Sequence, residues 1–159
     1  MTGSTVAATL FGPEDLRVTE NVLAPLAPGM VRVRFGAGGI CGSDLHYFRH
    51  ARTGDFVVTS PLILGHEIAG EIVEINDAAP GLSVGDHVAV NPSRWCGHCA
   101  RCVEGRPNLC ENIYFMGSAS KTPHMQGGFA SLFDATPATS CPSTSGEVTT
   151  KSPVRAWRK

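Results

Sequence analysis

Cys96, Cys99, Cys102 and Cys110 fall within fifteen residues, spaced C-x2-C-x2-C-x7-C. Any fold of this chain must turn the backbone so tightly there that four thiols share one small volume. Two chemistries accept such a set. A pair of disulfides would cross-link it. A single ion would be wrapped by it: zinc takes sulfur ligands at about 2.3 Å, and a closed four-cysteine shell leaves no position for a substrate. Gly97 and Gly105 permit turns between the ligands, and Pro107 stiffens the return to Cys110. The compartment decides between the two. Met1 to Phe11 has no basic segment followed by a long apolar run. No stretch approaches the ~20 apolar residues of a membrane span. The expected setting is the cytoplasm, where thiols stay reduced, and this favours structural zinc over disulfides.

The remainder reads as mainly β in one domain, with apolar residues at 42%, enough for a core. Strands are expected at Val6–Phe11, Val31–Phe35, Ile68–Ile75, His87–Val90 and Phe129–Phe133, from period-two alternation, β-branched content and flanking turn residues. One helix is expected at Ser43–His50, capped by Ser43 or Asp44. Short strands separated by turns suggest a closed or partly open barrel. A net charge of −1 and a pI near 6.6 give no basic surplus for nucleic acid or an anionic membrane. From Ala135 to Lys159, twelve of twenty-five residues are Ser, Thr or Pro and the net charge is about +3 (four Lys/Arg, one Glu). Such a segment buries too little apolar area to offset its ordering entropy, so disorder is expected over 135–159.

A second constellation lies away from the cysteine lobe: Gly39-Ile40-Cys41-Gly42-Ser43-Asp44-Leu45-His46, then Gly65-His66-Glu67. Taken singly, a Cys is often a small buried hydrophobe and a His a satisfied polar group. Here each sits beside a glycine, at a junction able to hold its side chain in a cleft. A catalytic zinc needs only three protein ligands and an open position.

These segments, the Gly85-Asp86-x-Val88 turn and the cysteine lobe occur in one order, and from about Val6 to Phe133 the chain resembles the N-terminal catalytic domain of zinc-dependent medium-chain alcohol and polyol dehydrogenases. The segment from Phe115 through His124-Met125-Gln126-Gly127-Gly128-Phe129 is most similar to the L-idonate 5-dehydrogenase branch, with sorbitol and other polyol dehydrogenases next. The resemblance implies a GroES-like, partly open β-barrel over 1–134 with a structural zinc lobe at 93–112. It implies Cys41, His66 and Glu67 around a catalytic zinc, and Cys96, Cys99, Cys102 and Cys110 around a structural one. Asp44 would orient His66, though a helix cap serves it equally. Ser43 would take the proton of the substrate hydroxyl and His46 would pass it to solvent. Glu67 has a plainer reading as a solvated strand charge. Tyr47, Phe48 and Phe115 line the substrate cleft or pack in the core. His50, His87, His98 and His124 have no motif support. In a full-length homologue the partner is a polyol or sugar acid, and the hydride acceptor NAD or NADP.

The family also implies a Rossmann domain, whose fingerprint is G-x-G-x-x-G/A. The 159 residues contain none; the nearest decoy, Gly36 to Cys41, runs into the zinc motif. The family's Glu-Pro segment beyond the barrel is missing too: Glu147 is followed by Val148. The tail reads like an out-of-frame continuation, with Cys141 an incidental thiol. The expectation is a catalytic-domain fragment of a polyol dehydrogenase that retains the four-cysteine zinc, holds the Cys41/His66 zinc weakly or not at all, and transfers no hydride alone. The alternative is a stand-alone zinc-binding β module without enzymatic activity. A disulfide-rich secreted domain ranks last. Oligomeric state is not legible.

Overall fold

A computed structural model describes residues 3–77, 79, 81–137 and, as backbone, 154–156. Cys141, Glu147 and most of the tail expected to be disordered lie outside the described residues. Among the described residues, twelve strands occur in chain order: β1 Ser4–Gly12, β2 Asp15–Val22, β3 Val31–Gly39, β4 Arg52–Thr53, β5 Phe56–Val57, β6 Leu62–Ile63, β7 Glu67–Ile75, β8 His87–Val90, β9 Ser93–Arg94, β10 Tyr114–Phe115, β11 Leu132–Ala135 and β12 Val154–Ala156. Helix α1 is Gly42–His50 and the single-turn α2 is Ala100–Val103.

Two sheets make the body, one ordered β2-β1-β6 and the other β11-β3-β7-β8-β12. They do not close into a barrel. The chain from Phe129 to Ser131 bridges them: Ala8 N–H donates to the Phe129 carbonyl at 2.8 Å, and Ser131 N–H donates to the Val6 carbonyl at 2.8 Å. This corrects the strand expected at Phe129–Phe133. Its first half pairs with β1, and regular pairing with β3 begins at Leu132, because the chain crosses from one sheet to the other at this corner. The decoy glycines Gly36, Gly38 and Gly39 lie in β3, and no phosphate-binding turn forms there.

The core follows from strand alternation. Val31, Val33, Ile72 and Val88, all essentially inaccessible, meet between the sheets with Ile68 and Phe133. A second cluster of Leu10, Tyr47, Leu62 and Leu64 seats α1 on β1. Burying side chains of this kind stabilises by about 1.5–3 kcal/mol each before entropy is counted. Polar residues reinforce the large sheet. Arg32 is only 7% exposed; its guanidinium donates to both Asp134 oxygens at 2.8 and 3.1 Å, to Glu74 Oε2 at 2.9 Å and to the Ala24 carbonyl at 2.8 Å. Asp134, Arg32 and Glu74 are register partners on β11, β3 and β7, so one buried cation ties three strands.

Strand β2 was not anticipated. Its apolar residues alternate but face outward, with Val18 and Val22 each 80% exposed, and pairing with β1 rather than burial holds it. No helix among the described residues is long and apolar enough to cross a membrane.

Candidate metal and substrate site

The cysteine lobe is built by turns. Its second thiol precedes α2, its third lies within it, and a short 3-10 turn at Pro107–Leu109 delivers Cys110. Cys96 Sγ lies 4.0 Å from Cys102 Sγ, and Cys99 Sγ lies 3.9 Å from Cys110 Sγ. All four sulfurs lie within 4.8 Å of one another. A disulfide bond is about 2.05 Å long, and none of the five described cysteines forms one. A tetrahedron with zinc–sulfur bonds of about 2.3 Å has edges of about 3.8 Å, so the sulfurs stand where that ion would hold them. Backbone N–H groups point at them: Cys99 N–H donates to Cys96 Sγ at 3.4 Å, and Cys96 N–H donates to Cys110 Sγ at 3.3 Å. The Cys96 thiol is held down to about 6, first by the backbone N–H of His98. Cys99 is lowered as well, first by the backbone N–H of Glu111. Burial pushes Cys102 up to about 12. Backbone N–H groups thus favour the thiolates of Cys96 and Cys99, and a bound cation would draw the proton from Cys102.

The second cluster is assembled from three elements. Cys41 is the N-cap of α1, two positions ahead of Ser43 and three ahead of Asp44, the caps expected. Asp44 serves the cap from inside the first turn, its Oδ2 accepting from Cys41 N–H at 2.9 Å. Its Oδ1 accepts from Gly65 N–H at 3.3 Å and lies 3.6 Å from His66 Nδ1. The buried carboxylate therefore pins the backbones that carry Cys41 and His66, and meets the imidazole electrostatically rather than by a short hydrogen bond. Gly65 has φ +94°, and a Cβ there would run into the Phe129 ring. Glu67 opens β7 opposite Gly39 in register. A Cβ on Gly39 would collide with Glu67 Oε2, so the glycine leaves room for the carboxylate to fold over β3. Cys41 Sγ, a His66 ring nitrogen and a Glu67 oxygen all lie within 4.8 Å of one another. The trio mixes a soft and a borderline donor with a hard one and is accessible through Glu67, a composition suited to zinc with an open position.

Beside this trio is a cleft of about 420 Å³. Ser43, Tyr47, His66, Phe115, Ser118 and Lys121 are among its walls. His66 and Phe115 rings lie 5.3 Å apart. Tyr47 packs in the core and also borders this cleft, its hydroxyl accepting from Ala119 N–H at 3.0 Å. Phe48 packs in the core. His46 is exposed on α1, its ring 5.8 Å from that of His50. His98 Nδ1 lies 2.9 Å from the Cys96 carbonyl. Buried His124 is a tie: its Nε2 accepts from Thr59 N–H at 2.9 Å and its Nδ1 donates to the Lys121 carbonyl at 2.9 Å. Ser118, Ser120 and Lys121 escaped the sequence reading. They stand more than fifty residues after His66, in a loop without periodicity, and only the Phe115–Phe129 resemblance pointed there.

The alcohol dehydrogenase GroES-like domain family matches residues 27–145. The chain belongs to that family. This GroES-like chain is 39% identical over 125 residues to L-idonate 5-dehydrogenase (NAD(P)(+)) of Escherichia coli K12, covering 79% of the chain and 36% of that relative. It is 40% identical over 123 residues to sorbitol dehydrogenase of Bacillus subtilis, covering 77% and 34%. Among solved structures, L-idonate 5-dehydrogenase of Escherichia coli superposes with a TM-score of 0.79 at 37% identity, over 86% of this chain and 38% of that one. The GroES-like chain spans about a third of the length of the curated relatives it matches.

Proposed function

We propose that this chain is the catalytic domain of a zinc-dependent alcohol or polyol dehydrogenase that oxidises a secondary alcohol of a polyol or sugar acid to a ketone. The observation that carries the reading is the convergence of Cys41, His66 and Glu67 donor atoms within 4.8 Å, beside a cleft that also holds Ser43. Cys96, Cys99, Cys102 and Cys110 would hold a structural zinc. Cys41, His66 and Glu67 would hold a second ion, which when bound supplies Lewis acidity toward the substrate hydroxyl.

The chain's own groups do the rest. Asp44 faces His66 Nδ1 and leaves Nε2 for the metal. Ser43 accepts the proton of the substrate hydroxyl, and exposed His46, one turn further along α1, gives it an exit to solvent. Phe115 beside His66 presents an apolar wall that limits water. None of these residues is assigned to the nicotinamide cofactor that the relative's name carries, and the 159-residue polypeptide alone is expected to bind metal without transferring hydride.

Cobalt titration tests this. We expect one tight site and one weaker site per chain, the weaker one lost in Cys41→Ser and in His66→Ala while the tight one persists. A second site untouched by both substitutions, or no second site at any cobalt concentration, would refute the catalytic assignment.

A further inference from the structure

The cleft is lined by the hydroxyl-bearing residues Ser43, Tyr47, Thr53, Ser118 and Ser120, by one lysine, Lys121, and by one carboxylate, Glu111, which forms no ion pair with that lysine. We propose that Lys121 receives a carboxylate there, so that the cleft selects a polyhydroxy acid over the neutral polyol of the same carbon skeleton. This rests on the reading that the cleft is the substrate site.

Three observations support it. Among the described residues, no carboxylate lies within ion-pair distance of Lys121. Its ammonium stands 5.6 Å from the Tyr114 ring centroid, and the Arg94 guanidinium lies 4.7 Å from the same centroid, also without an acidic partner. Lys121 is also held in place. Ser118 and Met125 exchange backbone hydrogen bonds at 3.2 Å across the base of its loop, and His124 Nδ1 donates to the Lys121 carbonyl. His124 is itself fixed by Thr59, so the loop orders before any ligand arrives. The hold is on the backbone, which leaves the ammonium for the ligand. A cleft of about 420 Å³ lies in the usual size range for small-molecule sites.

D-gluconate and D-sorbitol differ only at one terminal carbon, a carboxylate in one and a hydroxymethyl in the other. Their affinities for the full 159-residue chain in excess zinc are read from amide shifts of Gly117 and Ser118. We expect gluconate to bind about ten-fold tighter than sorbitol, the scale of one charge-assisted hydrogen bond. Lys121→Met should erase that difference by weakening gluconate alone, and Lys121→Arg should restore most of it. Equal affinity in the unsubstituted chain, binding of neither sugar, or a preference that survives Lys121→Met would overturn the inference. Zinc content measured on the same samples separates the two readings. No cleft zinc with the Lys121-dependent preference intact would remove the catalytic reading and leave this one. A cleft zinc with equal affinities would do the reverse.

Discussion

Gly39 shows how much a single missing methyl decides. Its register partner is Glu67, and the carboxylate occupies the space a Cβ would take. The clashing atom is the far end of a flexible side chain, so Gly39→Ala is expected to cost little stability. It should instead swing Glu67 away from Cys41 and His66 and weaken the second cobalt site about ten-fold, the usual scale of a disturbed ligand shell. Gly42→Ala is the control, because a Cβ there meets nothing within 4 Å. Equal effects of the two substitutions would rule out this account of Glu67.

At the scale of elements, the Arg32 tie carries the most testable energy. Its side chain is 9% exposed, Asp134 is 29% exposed and Glu74 is 50% exposed. The bidentate pair with Asp134 raises the guanidinium's proton affinity. The half-exposed Glu74 contributes little. Arg32→Ala leaves Asp134 without its partner and the Ala24 carbonyl without a donor, and is expected to destabilise by about 2 kcal/mol in urea unfolding. Glu74→Ala should cost under about 1 kcal/mol. The reverse order would contradict the three-strand tie.

At the scale of the molecule, the lobe around the four cysteines has its own cluster of Cys99, Cys102 and Cys110 with Trp95 and Ile113, separate from both sheet cores. It joins the body through β9 and β10, whose two register pairs are Tyr114 with Arg94 and Phe115 with Ser93. Stripping the metal should therefore raise hydrogen exchange across 93–112 and leave β3 and β7 protected. Loss of protection throughout would mean the lobe and the two sheets unfold as one unit. Phe115 couples this lobe to the cleft, since it ends β10 and stacks near His66.

Much of this was legible in the residues. Four thiols at fixed short spacing admit few geometries, so the convergence of the four sulfurs was readable from Cys96 to Cys110. Strands β3, β7 and β8 were readable because their burial is local and periodic. The start of α1 was misplaced, because the cap is made by Asp44 reaching back to Cys41 N–H from inside the helix. Strand β2 went unread because its stability comes from pairing with β1 and not from burial of its own apolar residues. The corner at Phe129–Ser131 depends on where a second sheet lies. The sequence by itself determined the family, the main sheet and the close grouping of the four cysteines, since these rest on spacing and on alternation within short segments. Only the tertiary structure decided which side chains face one another across long separations: Gly39 with Glu67, His124 with Thr59, and Lys121 with the cleft of Ser43 and His66. Such contacts arise from the crossing of strands distant in the chain, and no local pattern records where they meet.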